Sequence, residues 1–179
     1  MTLRLNLGCG ARKLDGWINV DCDVGEQPDV LCNLSWPYWP FDDNSVDEVL
    51  ASHVMEHIAP GEPFFQFMRE LYRVCKPGAQ VKVVLPHPSH DVFVSDPTHL
   101  HAILPSTLAL FSRRYMESQA ANGNVLTPFC KRIGVDFDMK TFSYTFDPAV
   151  DQEDAELEWK AKHLRNIILE WSTTLVVVK

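Results

Sequence analysis

Leu3-Arg4-Leu5-Asn6-Leu7 runs straight into Gly8-Cys9-Gly10, and no other stretch restricts the fold as much. Residues 3–7 read as a short buried strand entering a tight turn. Two glycines one residue apart let the backbone pass close to a ligand and leave its N–H groups uncovered. Short apolar runs recur after it, at 17–20 (ending at Asp21), 29–32, 46–51, 81–85 and 173–178. Residues 63–75 read as a helix, because Phe64, Phe67, Met68, Leu71, Val74 and Cys75 fall on one stripe, with Lys76-Pro77-Gly78 stopping it. A Trp/Pro-rich loop at 35–41 and an acidic turn, Asp42-Asp43-Asn44-Ser45, precede the fourth run.

Further on, Ser106 is read as the cap of a helix in which Leu108, Phe111 and Tyr115 share a face, ended by Gly123. Phe142, Tyr144 and Phe146 alternate with polar residues as in a half-buried strand. Glu156–Lys160 and Glu158–Lys162 are helical i,i+4 pairs, while 166–171 fits helix or strand. Short strands alternating with helices or loops imply an α/β fold with a mostly parallel sheet. In such sheets ligands sit beyond the carboxyl ends of the strands, near the point where strand order reverses. The chemistry is therefore expected just after Leu7, Val20, Cys32, Ala51 and Leu85.

Composition narrows the function classes. At 179 residues and 46% hydrophobic the chain has material for one sizeable core, and 1–179 is read as a single domain without repeats. No apolar run approaches the roughly 18 residues of a membrane span, no leader is read at the start, and a cytoplasmic protein is expected. The net charge of −8 argues against a broad nucleic-acid-binding face, which would need clustered Lys and Arg. Five cysteines without a C-x-x-C pair fit reduced thiols.

The glycine turn is not a dinucleotide fingerprint: Lys13 stands where the third glycine belongs, and no G-K-[ST] ending follows. An acid at a strand end, Asp21, still suits two ribose hydroxyls, with Asp23 as second choice. Five motifs then occur in order. They are Leu5-Asn6-Leu7-Gly8-Cys9-Gly10, Gly16-Trp17-Ile18-Asn19-Val20-Asp21, Pro40-Phe41-Asp42-Asp43-Asn44-Ser45-Val46-Asp47-Glu48-Val49, Met55-Glu56-His57-Ile58 and Leu71-Tyr72-Arg73-Val74-Cys75-Lys76-Pro77-Gly78.

This set, over residues 3–86, closely resembles the class I S-adenosylmethionine-dependent methyltransferases, in particular their compact type 11-like branch with a truncated first helix. The resemblance implies a Rossmann-like, doubly wound, mostly parallel seven-stranded sheet with one antiparallel strand near the C-terminus, formed by 173–178. It also implies S-adenosylmethionine as cofactor and S-adenosylhomocysteine as product. Gly8, Cys9 and Gly10 would face the methionine part, Asp21 the ribose, and Asn33 and Leu34 the adenine; His53 would lie near the reacting methyl. Asn33, where many relatives carry Asp, keeps an acceptor for the adenine amino group without the charge. Cys9 is read as a small filler between glycines.

Methyl transfer from a sulfonium needs an acceptor held in line and, for some acceptors, a base. Six of the seven histidines fall between 53 and 101, and His90, His99 and Asp96 are the candidate base or substrate-binding groups, with Asp91 beside them. His57 is read as a helix-end residue hydrogen-bonded within the fold. A metal reading uses His87, His90, His99 and His101 with Asp91 and Asp96, but their spacing matches no standard ligand motif, and no metal is expected. Trp36-Pro37-Tyr38-Trp39-Pro40 either stacks on a ligand ring or anchors the core.

The function expected is methyl transfer to a small molecule, a saccharide or a protein, with nucleic acid disfavoured because Ser52-His53-Val54-Met55 replaces an N-P-P-[YF] signature. The alternatives are a non-catalytic cofactor- or partner-binding module of the same fold and a metal-dependent hydrolase using the 87–101 histidines. With the first strand beginning at Leu3, the substrate cover is expected from a lid at 87–124, from a second subunit of a homodimer, or from the substrate itself.

Overall fold

The computed structural model describes residues 2–179; Met1, where the single-domain reading starts, lies outside them. Seven strands form one sheet: β1 (Arg4–Leu7), β2 (Ile18–Asp21), β3 (Val30–Leu31), β4 (Val46–Ser52), β5 (Cys75–Pro86), β6 (Phe137–Phe146) and β7 (Ile168–Val177). Their order is β3-β2-β1-β4-β5-β7-β6. The first five pair in parallel, and β7 runs antiparallel to both β5 and β6. This is the Rossmann-like, mostly parallel α/β sheet with one antiparallel strand that the resemblance implied.

The helices are α1 (Glu62–Val74), α2 (Asp91–Ser95), α3 (Pro105–Ala109), α4 (Arg113–Ala121), α5 (Phe129–Ile133) and α6 (Leu157–His163). The apolar stripe of α1 is its buried face: Phe64, Phe67, Met68, Leu71 and Val74 are closed to solvent. Phe64 and Phe65 meet Phe111 and Phe129 with ring centroids 5.0–6.4 Å apart, which joins α1 to the α3–α4 link and to α5 in one layer. On the sheet the same layer covers Val49, Ala51, Val81, Val83, Trp171 and Leu175, all essentially inaccessible. Alternate strand residues face the other way. There Gln80 and Lys82 are exposed and Val84, Ser172, Thr174 and Val176 half-buried, so this second face is far less covered. The reason lies in the connections: β1–β2 is a loop, and β2–β3 holds only a single turn, Val24–Glu26.

Four local expectations are refined. Residues 76–78 do not follow the helix as a loop; Cys75 is already extended and β5 starts there. The helix expected from Ser106 to Gly123 is two: Leu110 closes α3, and Ser112 Oγ accepts the Tyr115 N–H to start α4 (3.2 Å). The ambiguous 166–171 segment enters β7 at Ile168. Glu158 pairs with Lys162 at 2.6 Å, whereas Lys160 pairs with Asp154 instead of Glu156. Phe142 and Tyr144 lie in β6 as expected, yet stay 45% and 40% exposed because β6 is the edge strand. In the Trp/Pro loop, Trp39 is buried against Phe67, while Trp36 and Tyr38 are exposed. All five cysteines are free thiols, and among the described residues no helix is long and apolar enough to cross a membrane.

Candidate active site

Strand order reverses between β1 and β4, and the glycine turn and His53 lie at the carboxyl ends of those two strands. Gly8 has a φ of +60°, and a Cβ there would stand 2.5 Å from Val54 Cγ2 and 2.7 Å from Val54 Cβ. Only glycine lets the turn lie this close to the segment leaving β4. Cys9 donates its N–H to Val20 O (3.1 Å), fastening the turn to β2. The Gly10 N–H donates to Asp21 Oδ2 (2.8 Å), and the Asp23 N–H to Asp21 Oδ1 (3.0 Å). Asp21 therefore fixes the turn while keeping lone pairs for a ligand, since a carboxylate accepts about four hydrogen bonds.

Two clefts flank the turn and share Gly8, Gly10 and His53 in their walls. One, of about 410 Å³, is lined by Asp21, Cys22, Asn33, Leu34, Val54, His57 and Ile58 among others. The second, of about 490 Å³, is lined by Asn6, Cys9, Arg12, Leu14, Leu50 and Ser52 among others. All seven residues that the resemblance assigned to the cofactor thus border this pair of clefts. Asn33 Oδ1 accepts the Ser35 N–H (2.9 Å), and its amide nitrogen has no partner among the described residues. Leu34 is buried below it, its carbonyl accepting the Trp39 indole N–H (3.3 Å).

His53 adopts a left-handed backbone conformation (φ +53°) immediately after β4. A non-glycine residue is strained there unless its surroundings hold it, and Gln27, Asn44 and Asn166 share this conformation. The His53 Nδ1 lies 3.5 Å from Glu56 Oε1 and its Nε2 3.0 Å from Glu170 Oε2. The Glu56 carboxylate, followed by Glu170, holds the imidazole above its ordinary pKa despite partial burial. Burial raises the Cys22 thiol above its usual range, and the nearby Asp21 carboxylate acts in the same direction.

The three groups suggested for proton transfer separate. His90 is buried, with Nε2 2.9 Å from Asp147 Oδ2 and Nδ1 accepting the Val92 N–H at the start of α2. His99 Nε2 is 3.7 Å from Asp96 Oδ2, and its ring meets His57, a cleft residue, with centroids 4.8 Å apart. None of the three lines the clefts directly. Glu56 and Glu170 were not singled out in the sequence. Glu170 reaches His53 from β7, 117 residues away, and no local signal marks it. Glu56, by contrast, stands between two histidines at a strand end, which is a legible cue.

Residues 25–83 match the family described as "Methyltransferase domain". No curated protein sequence matches the chain. Among solved structures, an S-adenosylmethionine-dependent methyltransferase from Archaeoglobus fulgidus superposes with a TM-score of 0.63 at 18% identity, covering 98% of this chain and 86% of that one. One from Methanosarcina mazei gives a TM-score of 0.59 at 14% identity, covering 98% and 92%. The 1,6-didemethyltoxoflavin-N1-methyltransferase of Burkholderia thailandensis, with S-adenosylhomocysteine bound, gives 0.57 at 10% identity, covering 99% and 71%. With the match at 25–83, this shared architecture bears out the resemblance read in the sequence: about a third of the chain matches the methyltransferase-domain family, and the whole has the fold of these S-adenosylmethionine-dependent methyltransferases.

Proposed function

We propose that the chain binds S-adenosylmethionine in the clefts around the glycine turn and transfers its methyl group to a small-molecule, saccharide or protein acceptor. The observation that carries this reading is the Asp21 carboxylate at the end of β2, bonded to the Gly10 N–H at 2.8 Å and bordering the cleft. That is a charged acceptor fixed in place before any ligand arrives, which two vicinal hydroxyls require. The residues present fit the cofactor elsewhere too: a glycine turn whose Gly8 and Gly10 wall both clefts, apolar Leu34 and Ile58 for a flat base, and the free amide nitrogen of Asn33 as a donor.

When bound, the cofactor supplies an electrophilic methyl group on a sulfonium. Asp21 would hold the ribose, and Gly8, Cys9 and Gly10 would line the methionine part. His53, braced by Glu56 and Glu170, closes the β4 side of both clefts. The acceptor would approach from the His53–His57 side, where His99 and Asp96 stand behind His57 and are better placed than His90 to serve it. Residues 87–124 would form the cover over that side; Leu100 and His101 N–H groups already bond the Glu56 carbonyl (2.8 and 3.0 Å).

Titrating the wild-type protein with S-adenosylmethionine and with S-adenosylhomocysteine in a calorimeter tests the reading. One molecule bound per chain is expected, and no heat with either compound refutes it.

A further inference from the structure

Glu56 is the least satisfied polar group at this end of the sheet. Its side chain is 1% exposed, and neither carboxylate oxygen has a hydrogen-bond partner among the described residues. His53 Nδ1 faces it from 3.5 Å, too far for a good hydrogen bond, so a further cation would stabilise the buried carboxylate. The main chain of Glu56 is, by contrast, well used. The two N–H groups from Leu100 and His101 draw the 96–101 segment against the single turn Met55–His57, and this sets His99 beside His57. One carboxylate oxygen of Glu56 and one ring nitrogen each of His57 and His99 then lie within 4.8 Å of one another.

The hydrogen bonds of the two imidazoles fix which nitrogen is available. His57 Nδ1 is 3.2 Å from Thr98 O and 3.0 Å from Thr98 Oγ1, a hydroxyl that donates its own proton to Asp96. His99 Nδ1 is 2.8 Å from Phe93 O. A carbonyl oxygen only accepts, so Nδ1 carries the hydrogen in both rings, and Nε2 is the lone-pair nitrogen of each neutral imidazole. Donation of the second ring N–H to a carbonyl is how metal-binding histidines are held in place.

We propose that Glu56, His57 and His99 bind a divalent transition-metal ion of the zinc type at the rim of the cofactor cleft. Two imidazoles and one carboxylate are a ligand set that suits zinc and cobalt, and three protein ligands leave a coordination position open. Tetrahedral zinc needs its ligand atoms about 3.4 Å apart, so the side chains, whose ligand atoms lie within 4.8 Å, must draw together by up to about 1.4 Å. His57 also lines the cleft, which directs the open position to an acceptor bearing a hydroxyl or carboxylate oxygen. His99 then serves as a ligand, not as a proton acceptor. Of the histidines weighed for a metal in the sequence, His87 and His90 are engaged with Ser89 and Asp147, and His101 packs edge-on against Phe64.

The test uses full-length protein prepared without a histidine tag, stripped with a chelator and equilibrated with Zn²⁺ or Co²⁺. Elemental analysis should find about one ion per chain, and the Co²⁺ form should show visible absorption of a low-coordinate site. His57→Ala, whose side chain is exposed, and His99→Ala should each weaken binding roughly tenfold or more. His163→Ala, on α6, should bind as the wild type does. A wild type that takes up no ion would overturn the proposal and leave His53 as the sole counter-charge for Glu56. Undiminished binding in His57→Ala and His99→Ala would overturn it equally. S-adenosylhomocysteine titrations of the same stripped protein keep this outcome apart from that of the methyl-transfer reading.

Discussion

Replacing Asp21 by alanine removes four things at once: the acceptor for the Gly10 N–H at 2.8 Å, the acceptor for the Asp23 N–H at 3.0 Å, and the two remaining acceptor positions toward the cleft. Hydrogen bonds to a charged group contribute about 1.5–3 kcal/mol each before water takes over part of the role. Losing a pair to the ribose hydroxyls should therefore cost about 2–3 kcal/mol of binding, roughly 30- to 150-fold in Kd. Asp21→Asn keeps one acceptor oxygen and puts a donor at the other position, so its loss should be intermediate. Calorimetric titration with S-adenosylhomocysteine measures both variants, and a urea unfolding curve on each checks that the turn survives. An Asp21→Ala protein that is folded and binds within about threefold of wild type would refute the assignment of the ribose to this carboxylate.

Three further outcomes follow from the same geometry. Gly8→Ala forces a side chain into left-handed backbone and against Val54, and should destabilise the fold by about 2–4 kcal/mol; an unchanged urea midpoint would contradict it. Arg73 donates to the buried Glu70 carboxylate (2.7 Å), to Asp43 (2.6 Å) and to the carbonyls of Phe41 and Trp39, and Glu70 also accepts the Trp39 N–H (2.8 Å). Arg73→Ala should therefore cost about 3 kcal/mol or more, with a change in Trp39 fluorescence, and a loss under about 1 kcal/mol would contradict it. Cys22 is exposed and lines the cleft, but burial of its sulfur and the nearby Asp21 raise its pKa. Alkylation should be slow at neutral pH, speed up as pH rises, and be blocked by saturating S-adenosylhomocysteine. Cys75, buried and pushed up to about 12, should not react in the folded protein.

What could be read from the sequence was whatever is decided within a few residues. The strand-to-glycine turn, the acid ending β2 and the stripe of α1 are local patterns, and each falls within a residue or two of where it was placed. The break at Ser112 was missed because a cap inside an apolar periodicity competes with continuing the helix, and its hydroxyl prevails. The surroundings of His53 were missed for a different reason. Glu170 comes from the antiparallel strand, and His99 is placed by main-chain bonds to Glu56 more than forty residues earlier in the chain. Such pairings depend on the register of the finished sheet, and nothing within a local window encodes them. His90 stands out in the sequence through the crowding of histidines near the expected strand ends; the structure engages it with Asp147.

The turn between β1 and β2, closed by Asp21, is proposed as the seat of the adenosyl group. A crystal structure with S-adenosylhomocysteine bound tests it most directly. Both ribose hydroxyls are expected within hydrogen-bond distance, about 2.5–3.0 Å, of the Asp21 carboxylate oxygens, with the adenine between Leu34 and Ile58. An adenosyl group bound elsewhere, with Asp21 still engaged only with Gly10 and Asp23, would contradict it.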